Sequence, residues 1–125
     1  MNGFVGNIEE QTESNAFFRK VIFTAPHSQL VLMSLKPNEE IGEEVHDVDQ
    51  FFRFEKGEGK VIIGGKEILV HDGWAAVVPA GEKHNIINTS ETEELRLYTI
   101  YSPGHHPEGT VHTTKKEADQ AEAAH

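Results

Sequence analysis

GWAAVVPAGEKHNIIN, residues 73–88, places a short apolar run on each side of a Pro-x-Gly turn. Pro79 and Gly81 suit a tight turn, because proline presets one backbone angle and glycine tolerates the conformation that follows. His84 stands directly after the turn, where the second run begins. The pattern predicts two short strands joined by a turn that re-aims the chain, with one imidazole at the start of the second strand.

Similar short runs recur through the middle of the chain, about every eight to twelve residues. Turn-forming residues separate these runs, and no helical period lies between them. One of the turns is GEGK, residues 57–60, which we interpret as a hairpin. Many short, evenly spaced strands are typical of an all-β sandwich or barrel. The predicted strands are AFFRKVIFT, QLVLMSL, QFFRFE, GKVIIG, KEILV, WAAVVP, HNIIN and LRLYTIY.

The two ends differ from this strand-rich part. Residues 1–16 are polar and lack a sustained period, so we interpret them as a lead-in segment. Residues 17–103 form the predicted barrel, as one domain, because 125 residues is the size of a single domain. Residues 104–125 are predicted to form a loop and a short C-terminal helix, with Thr114 and Glu117 as a capping box.

The composition limits the classes of partner. The chain has 11 Lys and Arg against 21 Asp and Glu, a net charge of −10, which repels nucleic acid and anionic lipid. No signal-peptide pattern and no apolar run of bilayer-spanning length occurs, so we expect a cytoplasmic protein that binds neither nucleic acid nor membrane. Because the chain has no cysteine, a metal site would have to use His, Asp, Glu or amide side chains.

A second informative segment is IGEEVHDVDQFFRFEKG, residues 41–57, which contains a single histidine, His46, among acidic residues. In an extended chain Glu44 and His46 lie on the same face, since side chains alternate from one face to the other. The alternation cannot be carried across the possible turn at residues 47–49, so Gln50 has to be placed by other means. Spacing alone therefore makes Glu44 and His46 neighbours and leaves their relation to His84 open.

The spacing in residues 73–88 resembles the second motif of the cupin family at each fixed position: Gly73, Pro79, Gly81, His84 and Asn88. The first cupin motif fits residues 38–57 in part, when its last glycine is aligned with Gly57. A spacer of residues 58–72 separates the two motifs, and the resemblance covers about residues 17–101. In this alignment Asn38 replaces the first glycine, Glu44 the first histidine and Gln50 the glutamate, whereas His46 keeps the second histidine.

The resemblance implies a jelly-roll β-barrel that binds one divalent metal at its mouth. It implies a metal-facing set of Glu44, His46, Gln50 and His84, whose summed charge of −1 equals that of the family's three histidines and one glutamate. Gln50 is either a weak ligand or a group that positions a bound water or substrate. Without it, one carboxylate and two imidazoles match the arrangement associated with non-haem Fe(II), and Ni, Mn, Co or Zn would also fit.

Two functions follow from the resemblance. The first is a metal-dependent enzyme of dioxygenase, isomerase or decarboxylase type that acts on a small oxygen-rich molecule, with no catalytic base assigned. The second is a non-catalytic module that holds a metal or small ligand. The chain also resembles the small cupins called mannose-6-phosphate-isomerase-like, and the resemblance favours a homodimer. His105, His106 and His112 are interpreted as parts of a solvent-exposed connector or, if this segment folds over the barrel, as groups that assist at its mouth.

Overall fold

A computed structural model of the chain describes residues 3–123. Within that range it contains nine strands and two short helices. The helices are α1 (Ile8–Ser14) and α2 (Lys115–Ala123). The strands are β1 (Arg19–Thr24), β2 (Gln29–Leu35), β3 (Asp49–Lys56), β4 (Glu58–Ile63), β5 (Lys66–His71), β6 (Ala75–Val78), β7 (His84–Asn88), β8 (Leu95–Ser102) and β9 (Val111–His112).

The strands form two antiparallel sheets that enclose one apolar core. The larger sheet has the order β6-β3-β8-β2-β1-β9, and the smaller has the order β5-β4-β7. Phe52, Phe54 and Leu97 of the larger sheet form one buried cluster with Val61 and Ile86 of the smaller. Their burial is the main stabilising contribution to the fold, because it removes large apolar side chains from water. The prediction of an all-β jelly-roll with a short C-terminal helix is confirmed.

All eight runs that the sequence analysis identified as strands are strands, and QLVLMSL and HNIIN match β2 and β7 residue for residue. Strand β9, of two residues, and helix α1 were not predicted. Helix α1 lies in the segment interpreted as a lead-in. It begins after Asn7, whose side chain accepts a hydrogen bond from the Glu10 N–H, and it buries Thr12. A helix this short shows no apolar period, so only its cap could have indicated it.

The hairpin predicted at residues 57–60 is wrong. Strand β3 ends at Lys56 and β4 begins at Glu58, but the two strands belong to different sheets. Gly57, with φ of 111°, carries the chain from one sheet to the other, and a Cβ there would lie 2.7 Å from the Glu94 carbonyl oxygen. A hairpin and a sheet crossing both need glycine, so turn composition alone cannot distinguish them.

Backbone hydrogen bonds bring the two motif segments together. The Glu44 N–H donates to the His84 carbonyl over 2.9 Å, and the His84 N–H donates back to the Glu44 carbonyl over 3.0 Å. Further along, the Ile41 N–H donates to the Ile86 carbonyl over 2.9 Å. The segment before β3 therefore runs antiparallel to β7, which places Glu44 and His84 at the same end of the barrel.

The C-terminal helix begins where the sequence predicts. The Thr114 hydroxyl accepts a hydrogen bond from the Glu117 N–H over 3.1 Å, so the N-terminal half of the capping box is present. Ala118 is buried from α2 into the main core. Between residues 3 and 123 no helix has both the length and the apolar character needed to cross a membrane.

Candidate metal centre

Glu44, His46 and His84 converge at one end of the barrel. One ligand atom from each residue lies within 4.8 Å of the others, and the centroids of the two imidazole rings are 5.4 Å apart. We call these three residues the Glu-His-His cluster, and the end of the barrel where they lie the mouth. The alternation along the extended segment puts Glu44 beside His46, and the backbone pairing with β7 adds His84.

His84 is oriented by its own turn. Its Nδ1 lies 3.1 Å from the Glu82 carbonyl oxygen, which can only accept, so Nδ1 carries the proton. The lone pair is therefore on Nε2, which is buried and has no hydrogen-bond partner among the described residues. A backbone carbonyl that fixes the tautomer in this way is typical of metal-binding histidines.

His46 and Glu44 face each other across a short gap. His46 Nε2 lies 3.5 Å from Glu44 Oε1, at the limit of a hydrogen bond, and both side chains are largely buried. The Gly81 N–H donates to the His46 carbonyl over 2.8 Å, so the Pro-x-Gly turn also holds this segment. Burial would raise the pKa of Glu44, but His46, with smaller contributions from Arg19 and His84, brings it below its ordinary value. Glu44 is thus a carboxylate near neutral pH.

Gln50 lies inside the barrel on β3, opposite Tyr101 of β8. Its Nε2 donates to the Thr99 hydroxyl over 3.0 Å, and its Oε1 is buried with no hydrogen-bond partner within residues 3–123. The free atom of this amide is therefore an acceptor. It suits either of the roles that the sequence left open, a weak oxygen ligand or an acceptor for a bound water or substrate.

The donor set fits a divalent transition metal. Two imidazole nitrogens and one carboxylate oxygen are borderline ligands that suit Fe, Ni, Mn, Co or Zn. In the described part of the chain two buried nitrogens, His46 Nε2 and His84 Nε2, make no hydrogen bond. Such atoms are costly unless something binds them, because a buried polar atom loses its interaction with water. The cluster thus has the composition and the unused bonding capacity of a metal site.

His105 and His106 lie at the mouth, as the second interpretation of this segment has it, while His105 and most of residues 102–110 are also exposed to solvent. The His105 ring is 4.2 Å from the His46 ring, and His106 Nε2 is 3.2 Å from the Tyr101 hydroxyl. Gln29, buried on β2, accepts hydrogen bonds from the backbone N–H groups of both histidines and donates to the His106 carbonyl. The sequence signal for this contact was Gln29, a glutamine at an inward-facing strand position. Only the fold shows that its side chain binds the backbone of the segment with His105 and His106.

These additional histidines are neutral near pH 7. Burial, then the positive charge of Arg19, lowers the pKa of His106 to about 3. Burial also lowers the pKa of His105, whose side chain is near the surface. A neutral imidazole beside the cluster can accept a proton, so His105 is a candidate base that the sequence did not identify.

Two cavities border the site. The first, about 340 Å³, is lined in part by His84, Glu43 and Lys83. The second, about 360 Å³, is lined in part by His105 and His112. Each is large enough for a small organic molecule.

Comparison with known proteins agrees with this fold. A family model described as Cupin domain matches residues 31–101. YrkC of Bacillus subtilis is 50% identical over an alignment of 126 positions, which covers 95% of this chain and 67% of YrkC. L612 of Acanthamoeba polyphaga mimivirus is 46% identical over 119 residues, which cover 92% of this chain and 74% of L612. The crystal structure of BH2720 from Bacillus halodurans is similar with a TM-score of 0.93 and 43% identity over 95% of each chain. The chain belongs to the cupin family.

Proposed function

We propose that this cupin binds one divalent transition metal through Glu44, His46 and His84 and acts on a small, oxygen-rich organic molecule. The observation that carries the proposal is the convergence of three donor atoms within 4.8 Å, at a place where His46 Nε2 and His84 Nε2 are buried and make no hydrogen bond within residues 3–123. A bound metal would act as a Lewis acid toward a chelating carbonyl or hydroxyl oxygen of the substrate.

The surrounding side chains suit a chemical role in addition to binding. Glu44 supplies the one negative charge of the cluster, and the Glu82 carbonyl keeps His84 in the tautomer that exposes Nε2 to the site. Gln50 offers a fixed acceptor toward the interior, able to orient a hydroxyl or a water. His105, neutral and in ring contact with His46, is placed to take a proton from a bound molecule.

Metal binding is tested directly by titration. Protein stripped with a chelator and then titrated with Fe(II), Mn(II), Ni(II) and Zn(II) in a calorimeter should bind one ion per chain. His84→Ala should lose this binding, whereas His27→Ala, which changes an exposed histidine, should not. Failure of all four ions to bind the unaltered protein would remove the proposal.

Turnover is tested separately on the metal-loaded protein. A panel of diketones, hydroxy acids and sugar phosphates is incubated with it, and oxygen uptake and product mass are followed. We expect at least one compound to be converted, with His105→Phe losing conversion while it keeps the metal. Ligands that stabilise the protein thermally and are never converted would favour the non-catalytic module instead.

A further inference from the structure

A buried arginine lies near the mouth without a full set of partners. Arg19, on β1, is 2% exposed, and its position in the strand places it on the inner face with Val21. Its Nε has no hydrogen-bond partner among the described residues. A buried guanidinium that is not fully hydrogen-bonded is costly, because the charge has lost water and gained little in return. Such a group is suited to binding an anion.

The groups that contact Arg19 do not prevent it from binding an anion. Its NH1 donates to His112 Nδ1 over 3.2 Å, and since a guanidinium only donates, this imidazole is neutral. Among the described residues the nearest carboxylate oxygen to Arg19 NH1 is Oε1 of Glu122 on α2. The distance of 3.9 Å is too long for a hydrogen bond. The Glu122 side chain is 52% exposed. A carboxylate therefore reaches the guanidinium from the solvent side but does not bind it closely.

The second cavity connects this arginine to the Glu-His-His cluster. Its walls include His112 and Glu122, both of which contact Arg19, and His105, whose ring contacts His46. A molecule in this cavity of about 360 Å³ thus contacts His105 directly, and it is separated from the buried guanidinium by His112 and Glu122. Displacement of the exposed Glu122 side chain would open the way from the cavity to Arg19.

We propose that Arg19 binds the carboxylate group of a small organic ligand, which enters this cavity and takes the position now held by the Glu122 carboxylate. The Glu122 carboxylate faces the guanidinium at 3.9 Å without a hydrogen bond, and the fork of guanidinium N–H groups matches the two oxygens of a carboxylate that comes closer. The ligand's other contact, between its chelating oxygens and a bound metal, rests on the proposed function. It narrows the substrate class to small molecules that carry a carboxylate.

The test uses the full chain, stripped of metal by a chelator, so that it does not depend on metal binding. The chain has three arginines, and their Nε–H groups give three separate NMR signals, assigned by Arg→Lys substitutions. Sodium acetate should shift the Arg19 signal saturably, with acetamide, its neutral isostere, and sodium chloride as controls. Arg53 Nε and Arg96 Nε already face carboxylates at 2.9 and 3.0 Å, so their signals should move little.

Glu122→Gln tests the competition between the helix and the ligand. Removing the carboxylate that faces Arg19 should tighten acetate binding up to about fivefold, the effect expected of one half-exposed ion pair. Glu117→Gln removes the same charge from the exposed face of the same helix and should leave the affinity unchanged. Both variants alter exposed side chains, so neither should compromise folding.

Four results would overturn the proposal. These are no saturable shift of the Arg19 signal, an equal response to acetamide, equal effects of the two glutamine variants, and a response to inorganic phosphate but not to acetate. The last would assign the guanidinium to phosphate compounds. Metal titration is a separate experiment. A failure of Arg19 to bind acetate can therefore be told apart from a failure of the Glu-His-His cluster to bind a metal.

Discussion

A single backbone hydrogen bond decides how His84 can react. With its Nδ1 proton directed at the Glu82 carbonyl, the lone pair on Nε2 faces the Glu-His-His cluster. His46 is less constrained, because its buried Nε2 faces Glu44 at 3.5 Å and has no other partner among residues 3–123. The two imidazoles therefore differ in how far they are preorganised, and His84 is the one whose orientation does not depend on a bound ion.

The role of Gln50 can be measured against that of His84. Because its Nε2 is engaged by Thr99, Gln50 contributes at most one neutral oxygen to the site. We expect Gln50→Ala to weaken Mn(II) binding about tenfold, as for a residue that supports a ligand, and His84→Ala to weaken it far more. Calorimetric titration of both variants measures the difference, and equal losses would make Gln50 a full ligand.

The low pKa of Glu44 has a consequence for stability in acid. A folded-state pKa below the unfolded-state value means that the ionised group stabilises the fold. This contribution is complete above the ordinary carboxyl pKa of 4.5 and is lost as the pH falls through the lower, folded-state value.

In chelator, the unfolding free energies of the unaltered protein and Glu44→Gln should therefore converge as the pH falls below about 4.5. Urea unfolding at a series of pH values measures this. Glu43→Gln, at an exposed neighbouring position, is the control and should show no such convergence. A gap that stays constant from neutral to acid pH would contradict the assigned shift.

At the scale of elements, a few links between the two sheets position the site. The Pro-x-Gly turn leads from β6 in the larger sheet to β7 in the smaller, and the Gly81 N–H within it binds the His46 carbonyl. Gly57 makes the other crossing, from β3 to β4, pressed against the backbone at Glu94. Sequence patterns identified both turns. The alternation of side chains along a strand does not predict which sheet that strand will join.

Gly57 provides a test of that crossing. Gly57→Ala introduces both an unfavourable φ of 111° and a Cβ 2.7 Å from a backbone oxygen, so we expect it to cost about 3 kcal/mol. Gly65→Ala, at a φ of 83° with open space around it, should cost about 1 kcal/mol. The free energy of urea unfolding measures both, and equal costs would show that the close approach is relieved without strain.

At the scale of the whole molecule, the barrel leaves apolar side chains in water. Leu69 of β5 and Val77 of β6 are 69% and 64% exposed, and Trp74 between these strands is 44% exposed. These three exposed apolar side chains, all between residues 69 and 77, are candidates for an interface with a second copy of the chain. They support the homodimer that the family resemblance implied.

We therefore expect a dimer by light scattering coupled to gel filtration. Leu69→Lys should shift it toward monomer, because it places a charge among the apolar side chains. Glu91→Lys introduces the same residue at an exposed polar position and should leave the dimer intact. A monomeric unaltered protein would contradict the expectation, and a dimer that tolerates Leu69→Lys would place the interface on another face.

The sequence by itself determined eight of the nine strands in residues 3–123, the positions of the turns between them, and the pairing of Glu44 with His46. Alternation and turn chemistry depend on neighbouring residues, so a sequence pattern can show them. The motif around His84 added the family. Only the tertiary structure decided that GEGK is a crossing between sheets. It also decided that Gln50 donates its amide N–H to the Thr99 hydroxyl and that the His105 ring lies against the His46 ring. Arg19 and His112, 93 residues apart, meet for the same reason, since such contacts depend on how the sheets close and not on local pattern.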